Sequence, residues 1–271
     1  MYEAYWQLER KPFEPGVDIA AYYPGEAHQA AVLKLRYAVE SRSGAALLAG
    51  AGGSGKTMLV RLLAERMPEE FQPFVHLVFP QMATAELLAW LAAEFENRAP
   101  GAASTDDSVR RIQHFLANNA AAGRHAVLAI DEAHLLDSPR TLETLRLLLN
   151  FETAGRPGMT LLLVGQPMLI PMVERLPQLD ERMGVKCLLR PLTVEETMSY
   201  VQHRLALAGA HRSMFSSGAL EAVHSLSHGM PRRINRLCDL ALLIGFADEQ
   251  AMIEEAHIEA VAQELVTVEP D

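Results

Sequence analysis

Gly50-Ala51-Gly52-Gly53-Ser54-Gly55-Lys56-Thr57 decides how this chain is read, because it satisfies G-x-x-x-x-G-K-[ST] at every fixed position. Its flanks give it structural sense. Ala45 to Ala49 is a short apolar run bounded by Gly44 and Gly50, as a buried strand requires, and Met58 to Arg66 carries apolar residues at helical spacing. A glycine-rich loop between strand and helix brings backbone N–H groups against phosphate oxygens, and the first helical turn adds its dipole. Gly50, Ala51, Gly52, Gly53, Ser54, Gly55, Lys56, Thr57 and Met58 therefore form the expected phosphate-binding set. Within it, Lys56 reaches the β- and γ-phosphates and the Thr57 hydroxyl holds Mg²⁺. The competing reading, a glycine-rich turn with a chance lysine, leaves the strand-to-helix context unexplained.

A second motif lies downstream. Ala126-Val127-Leu128-Ala129-Ile130 is an uninterrupted apolar strand ending in Asp131-Glu132, the Walker B arrangement, in which the end of a buried strand delivers two carboxylates to the crevice that holds the phosphate loop. Asp131 is expected to accept from Mg²⁺-bound water, and Glu132 to orient and polarise the attacking water. An acidic pair also suits the start of a following helix, but the upstream loop favours the chemical reading. Asp131-Glu132-Ala133-His134 spells the letters of the DEAH helicases. The chain after Glu132 is too short and too helical for the second lobe such a helicase needs, so His134 reads as a local packing or capping residue.

The chain has 271 residues, 49% of them hydrophobic, enough to bury a large core as one big domain or a large one plus a small one. Its net charge of -10 argues against a wholesale basic surface for nucleic acid and leaves room only for a local basic patch. Cys187 and Cys238 stand far apart without metal-ligand spacing, so they are expected to be ordinary buried thiols. Met1 to Pro15 lacks the apolar core of a secretory signal. No run reaches the roughly 18 apolar residues of a membrane span, and Leu237 to Ala247 is broken by Asp239 and Gly245. A cytoplasmic protein is expected.

Residues 1–25 carry Trp6, Phe13, Tyr22 and Tyr23 among Pro12, Pro15 and Pro24, a segment expected to pack on the nucleotide-binding domain, either walling a base pocket or covering an apolar patch. Residues 26–192 read as an α/β domain. Its opening helix, Glu26 to Ser41, is expected to bury Ala30, Leu33, Tyr37 and Ala38. Further strands are expected at Phe74 to Phe79, Thr160 to Val164 and Val185 to Leu189, with helices at Ala83 to Glu96, from Ser104–Asp107 to about Ala122, and at Pro139 to Phe151. Asn97 to Asp107 reads as a loop. Gln166, at a strand end, either positions the lytic water or serves as a turn residue. Arg182, just before the last strand, is either solvated surface or an arginine finger acting in trans.

From Thr193 strands vanish, and residues 193–268 read as a helical lid, with helices at Val194 to Ala208, Ser216 to Leu226, Pro231 to Gly245 and Glu254 to Leu265. Thr193 with Glu195 and Glu196 marks a helix start. Gly229-Met230-Pro231-Arg232-Arg233 places two arginines in a first helical turn, where the dipole opposes them unless they meet an anion.

Taken in order, Gly50 to Thr57, Ile130-Asp131-Glu132, Gly165-Gln166-Pro167, Arg182 and Gly229-Met230-Pro231-Arg232 resemble an AAA+ ATPase, and within that class the general secretion pathway protein A (ExeA-like) group. Trp6-x-Leu8-x-x-x-Pro12-Phe13, Tyr22-Tyr23-Pro24, Arg36-Tyr37-Ala38-Val39-Glu40 and Arg232 to Asp239 extend the likeness over nearly the whole chain. The resemblance implies a five-stranded parallel sheet flanked by helices, a C-terminal helical lid, and ATP with Mg²⁺ bound between them. It equates Gln166 with sensor 1, Arg232 with sensor 2 and Arg182 with the arginine finger, Arg175 being a competitor. Sensor 1 is more often asparagine. A finger acting in trans implies a homo-oligomer, typically a hexamer, and turnover coupled to a protein partner in secretion or envelope export. The protein that names the group continues into a membrane span and a peptidoglycan-binding domain, whereas this sequence stops at Asp271, so the resemblance implies the motor and leaves its load open. The competing function is an ATP-dependent DNA-associated switch like the transposition regulators; a metabolic kinase would need an acceptor site instead.

Overall fold

The structure, a computed structural model, describes residues 1–99, 103–136, 138–153 and 155–267. Part of the expected 97–107 loop and the end of the expected lid at residue 268 lie outside those residues. The chain divides into two compact units.

The α/β unit comprises Ala27–Gly52 and Leu59–Leu189. Its strands are β1 (Ala45–Gly50), β2 (Phe74–Leu77), β3 (Ala126–Ile130), the short pair β4 (Glu152–Thr153) and β5 (Arg156–Pro157), β6 (Met159–Gly165) and β7 (Met183–Leu189). The main sheet has five strands in the order β2-β3-β6-β1-β7, and every neighbouring pair is parallel. The sequence dictates this order of burial. β1, β3 and β6 are buried at every residue, as unbroken apolar runs must be when helices cover both faces. β2 and β7 alternate in exposure and lie at the edges. On one face, Ala45, Leu47, Ala49, Leu128, Ile130, Leu161 and Leu163 join the buried sides of helices Thr84–Phe95, Thr105–Ala121, Pro139–Leu148 and Leu169–Glu174. Ser104 caps the second of these, its hydroxyl accepting from the Asp107 N–H at 3.1 Å.

The helix Glu26–Glu40 differs from expectation. It buries His28, Ala31, Leu35, Ala38 and Val39, whereas Leu33 and Tyr37 are 69% and 64% exposed and Ala30 is exposed. Both assignments have helical spacing, and the segment carries apolar side chains on two faces. Only packing decides between them.

The helical unit comprises Met1–Glu26, Gly53–Met58 and the chain from Arg190 onward. Its helices Val194–Leu207, Ser217–Ser227, Pro231–Ala247 and Glu255–Thr267 start close to where the sequence marks them. Thr193 forms a full capping box, its hydroxyl accepting from the Glu196 N–H (3.2 Å) and its own N–H donating to the Glu196 carboxylate (2.9 Å). Arg190 binds the same carboxylate at 2.6 Å and Glu26 at 2.9 Å. Burial alone would raise the Glu196 carboxyl, but the Arg190 guanidinium holds it below the usual carboxylate range.

The N-terminal segment belongs to the helical unit. Tyr2, Trp6, Leu8 and Phe13 are buried in one core with Leu205, Phe215, Leu237 and Leu242, and the Trp6 indole N–H donates to the Leu242 carbonyl at 2.9 Å. Tyr23 packs edge-on against Tyr200. These aromatic residues complete the helical unit's core. Cys187 and Cys238 are buried and free, and burial raises both thiols.

Candidate functional site

In the α/β unit, β1 ends at Gly50 and β3 at Ile130, so Gly50–Gly52 and Asp131–Glu132 leave the same edge of the sheet, with β6 between their strands. Asp131 continues the ladder, its N–H donating to the Leu77 carbonyl at 2.8 Å, and it is 3% exposed. Its carboxylate accepts from the Glu132 N–H at 2.9 Å. Glu132 adopts a left-handed conformation, φ 49° and ψ 36°, unusual for a residue with a long side chain and characteristic of functional turns. Its side chain is 40% exposed.

Two histidines flank this pair. His76, on β2, brings Nε2 to 3.7 Å from the Asp131 carboxylate. His134 is buried and does pack locally, as the sequence suggests: its Nδ1 accepts from the Gln166 N–H at 3.3 Å. Nδ1 also lies 3.5 Å from the Glu132 carboxylate. Gln166 follows β6 on the same edge, with its side chain exposed. Sequence reading gave His76 no role. Its only signal was a polar residue in the otherwise apolar run Phe74-Val75-His76-Leu77.

Lys56 and Thr57 open the helix Lys56–Arg66, and Lys56 is only 5% exposed. A buried cation at a helix N-terminus is opposed by the helix dipole, and a phosphate bound there would reverse that balance. In the helical unit, which includes Gly53–Met58, the Arg232 N–H donates to the Gly53 carbonyl at 3.3 Å. Gly53 has φ +80°, and a Cβ there would lie 2.8 Å from the Arg232 Cβ. Only glycine fits. Arg232 opens the helix Pro231–Ala247 with its side chain exposed, so the loop carries an arginine alongside its glycines. Gly229, at φ +68°, sets up this start: a Cβ there would meet the Leu192 carbonyl oxygen at 2.1 Å. Within the helical unit the buried lysine at a helix start suits a phosphate, and within the α/β unit the Asp131–Glu132 pair suits a metal-bound water. Among the described residues there is no group of three or more His, Cys, Asp or Glu that could hold a metal ion.

Arg182 is elsewhere. Its carbonyl accepts from the N–H of Ala45, the first residue of β1, at 3.1 Å, and its guanidinium donates to Asn150 at 2.5 Å. The loop leaves from the other end of β1, roughly 17 Å away at strand rise. Arg175, capping the helix Leu169–Glu174, is exposed.

A five-stranded parallel sheet in this order, with a phosphate loop after β1 and an acidic pair after β3, calls for comparison with known proteins. Residues 39–173 match the AAA domain family. Over 98% of its length the chain is 35% identical to general secretion pathway protein A of Aeromonas hydrophila. Residues 39–173 of this chain form an AAA domain. It spans about half of that relative, 48% of its length. The fold is shared with Cdc6p from Pyrobaculum aerophilum, with a TM-score of 0.73 at 15% identity over 96% of this chain and 74% of that one. It is also shared with the Aeropyrum pernix ORC1 protein in complex with DNA, with a TM-score of 0.70 at 16% identity over 95% and 69%. The Thermotoga maritima RuvB Holliday junction branch migration motor gives 0.60 at 19% over 88% and 69%. Among the described residues of this chain, no helix is long and apolar enough to cross a membrane.

Proposed function

We propose that this AAA-domain protein binds ATP with Mg²⁺, hydrolyses it, and couples turnover to remodelling or positioning a protein partner in a secretion or envelope-export system. One observation carries the reading: Gly50–Gly52 and Asp131–Glu132 leave one edge of the sheet from strands two places apart. That is about 10 Å at the usual strand spacing.

The residues then take distinct roles. Backbone N–H groups from Gly50 to Met58 and the Lys56 ammonium bind phosphate oxygens; Thr57 and Asp131 hold the metal ion. Bound Mg²⁺ neutralises charge on the phosphoryl oxygens. Glu132 orients a water and takes its proton, Gln166 assists from the end of β6, and Arg232, lying against Gly53, reads the phosphate charge. Arg182, roughly 17 Å along β1 from its own loop, serves a neighbouring copy, which makes a homo-oligomer, a hexamer by analogy, the active form. A cytoplasmic position, peripheral to the membrane through a partner, accords with the relative's name.

Phosphate release per subunit, measured against protein concentration with mass determined alongside, tests the assembly. The rate should climb as the oligomer forms, and Arg182→Ala should abolish the climb while ATP binding persists. A rate independent of concentration that survives Arg182→Ala would remove the finger. The competing function, an ATP-dependent DNA-associated regulator, is opposed by the net charge of -10. Salt-sensitive DNA binding that requires ATP would replace the protein partner with DNA.

A further inference from the structure

His134 stands where two parts of the site meet. Its ring is buried, its Nδ1 accepts from the Gln166 N–H at 3.3 Å, and the same nitrogen faces the Glu132 carboxylate at 3.5 Å. The backbone is shaped to admit it: a Cβ on Gly165 would lie 3.0 Å from Nδ1 and 3.3 Å from the His134 N–H nitrogen. A ring nitrogen offers either a lone pair or a proton, never both. With the lone pair, Nδ1 holds the Gln166 amide and gives Glu132 nothing, leaving that half-exposed carboxylate to a water. With a proton, Nδ1 donates to Glu132 and the Gln166 amide loses its acceptor.

We propose that His134 is a positioning residue. By accepting from Gln166 it fixes the turn after β6 and keeps Glu132 unpaired and available to water, so that the two ends of the site are set by one atom. This rests on the reading of Glu132 as the water-orienting group.

The test compares His134→Asn, whose side-chain oxygen restores an acceptor near the Nδ1 position, with His134→Leu, which fills the volume without one. Amide hydrogen exchange at Gln166 in nucleotide-free protein should speed up by about tenfold or more in the Leu variant and stay protected in the Asn variant. Turnover should fall by about tenfold or more in the Leu variant at unchanged KM, and the Asn variant should recover it. Gly165→Ala, which keeps the ring and crowds Nδ1, should expose the Gln166 amide by an independent route, so poor folding of the Leu variant does not decide the matter. Wild-type exchange at Gln166 in both the Leu and Gly165→Ala proteins, or wild-type turnover in the Leu variant, would overturn the proposal. If the wild type hydrolyses no ATP at all, the role given to Glu132 fails, whereas exchange at Gln166 still decides whether His134 holds the turn.

Discussion

In the α/β unit the core is laid down strand by strand, with β1, β3 and β6 buried at every residue. In the helical unit it is gathered from distant parts of the chain, Trp6 donating to the Leu242 carbonyl and the buried Arg204 donating to the Pro12 carbonyl at 2.7 Å. The first kind of core is written in local pattern, because an apolar pentapeptide between glycines has few other uses. The second depends on contacts across some two hundred residues, which no window of sequence contains. The two units should therefore respond differently to substitution.

Trp6→Ala should have the largest effect. The side chain is fully buried and its N–H is paired, so the change should cost about 3–5 kcal/mol. Denaturant unfolding followed by amide exchange should show the helices from Val194 onward losing protection first, with β1, β3 and β6 keeping theirs. Equal loss in both units would erase the distinction.

A pH titration probes the other unit at about 3 kcal/mol. His125, at the foot of β3, is buried with Nε2 on the Thr160 hydroxyl at 2.8 Å. Burial, followed by the nearby Arg42 charge, pushes its pKa down to about 4. Above an unfolded value near 6.5 the ring is neutral in both states and pH has no effect through it. Below that value the unfolded chain takes the proton first, so stability falls with pH until the folded ring protonates near 4. The loss between these limits should shrink in His125→Asn; an unchanged acid slope would refute the assignment.

The smallest effect belongs to the exposed face of the helix Glu26–Glu40. Leu33→Ser and Tyr37→Ser, at exposed positions, should each change stability by about 0.5 kcal/mol or less. Leu35→Ala, at a buried position, should cost about 2–4 kcal/mol. Reversal of that order would restore the face the sequence suggested.

These contrasts mark what was legible. The phosphate loop, β3 with its acidic pair, and the Thr193 capping box depend on neighbours in sequence, and each could be read there. The face of Glu26–Glu40 could not, because Leu33 and Tyr37 are as apolar as the residues that are buried. The place of Trp6 depended on a partner 236 residues away. Asp131, Glu132 and His134 were visible as neighbours in sequence, but His76 comes from β2 and Gln166 from the end of β6, and only the strand order brings those two beside them.

The central claim is that this chain hydrolyses ATP through Glu132, and the most direct test measures ATP binding and phosphate release in wild type and Glu132→Gln under the same conditions. The Gln variant should bind ATP with unchanged affinity and release phosphate about 10²–10⁴-fold more slowly. A variant that binds normally and turns over at the wild-type rate would contradict the account.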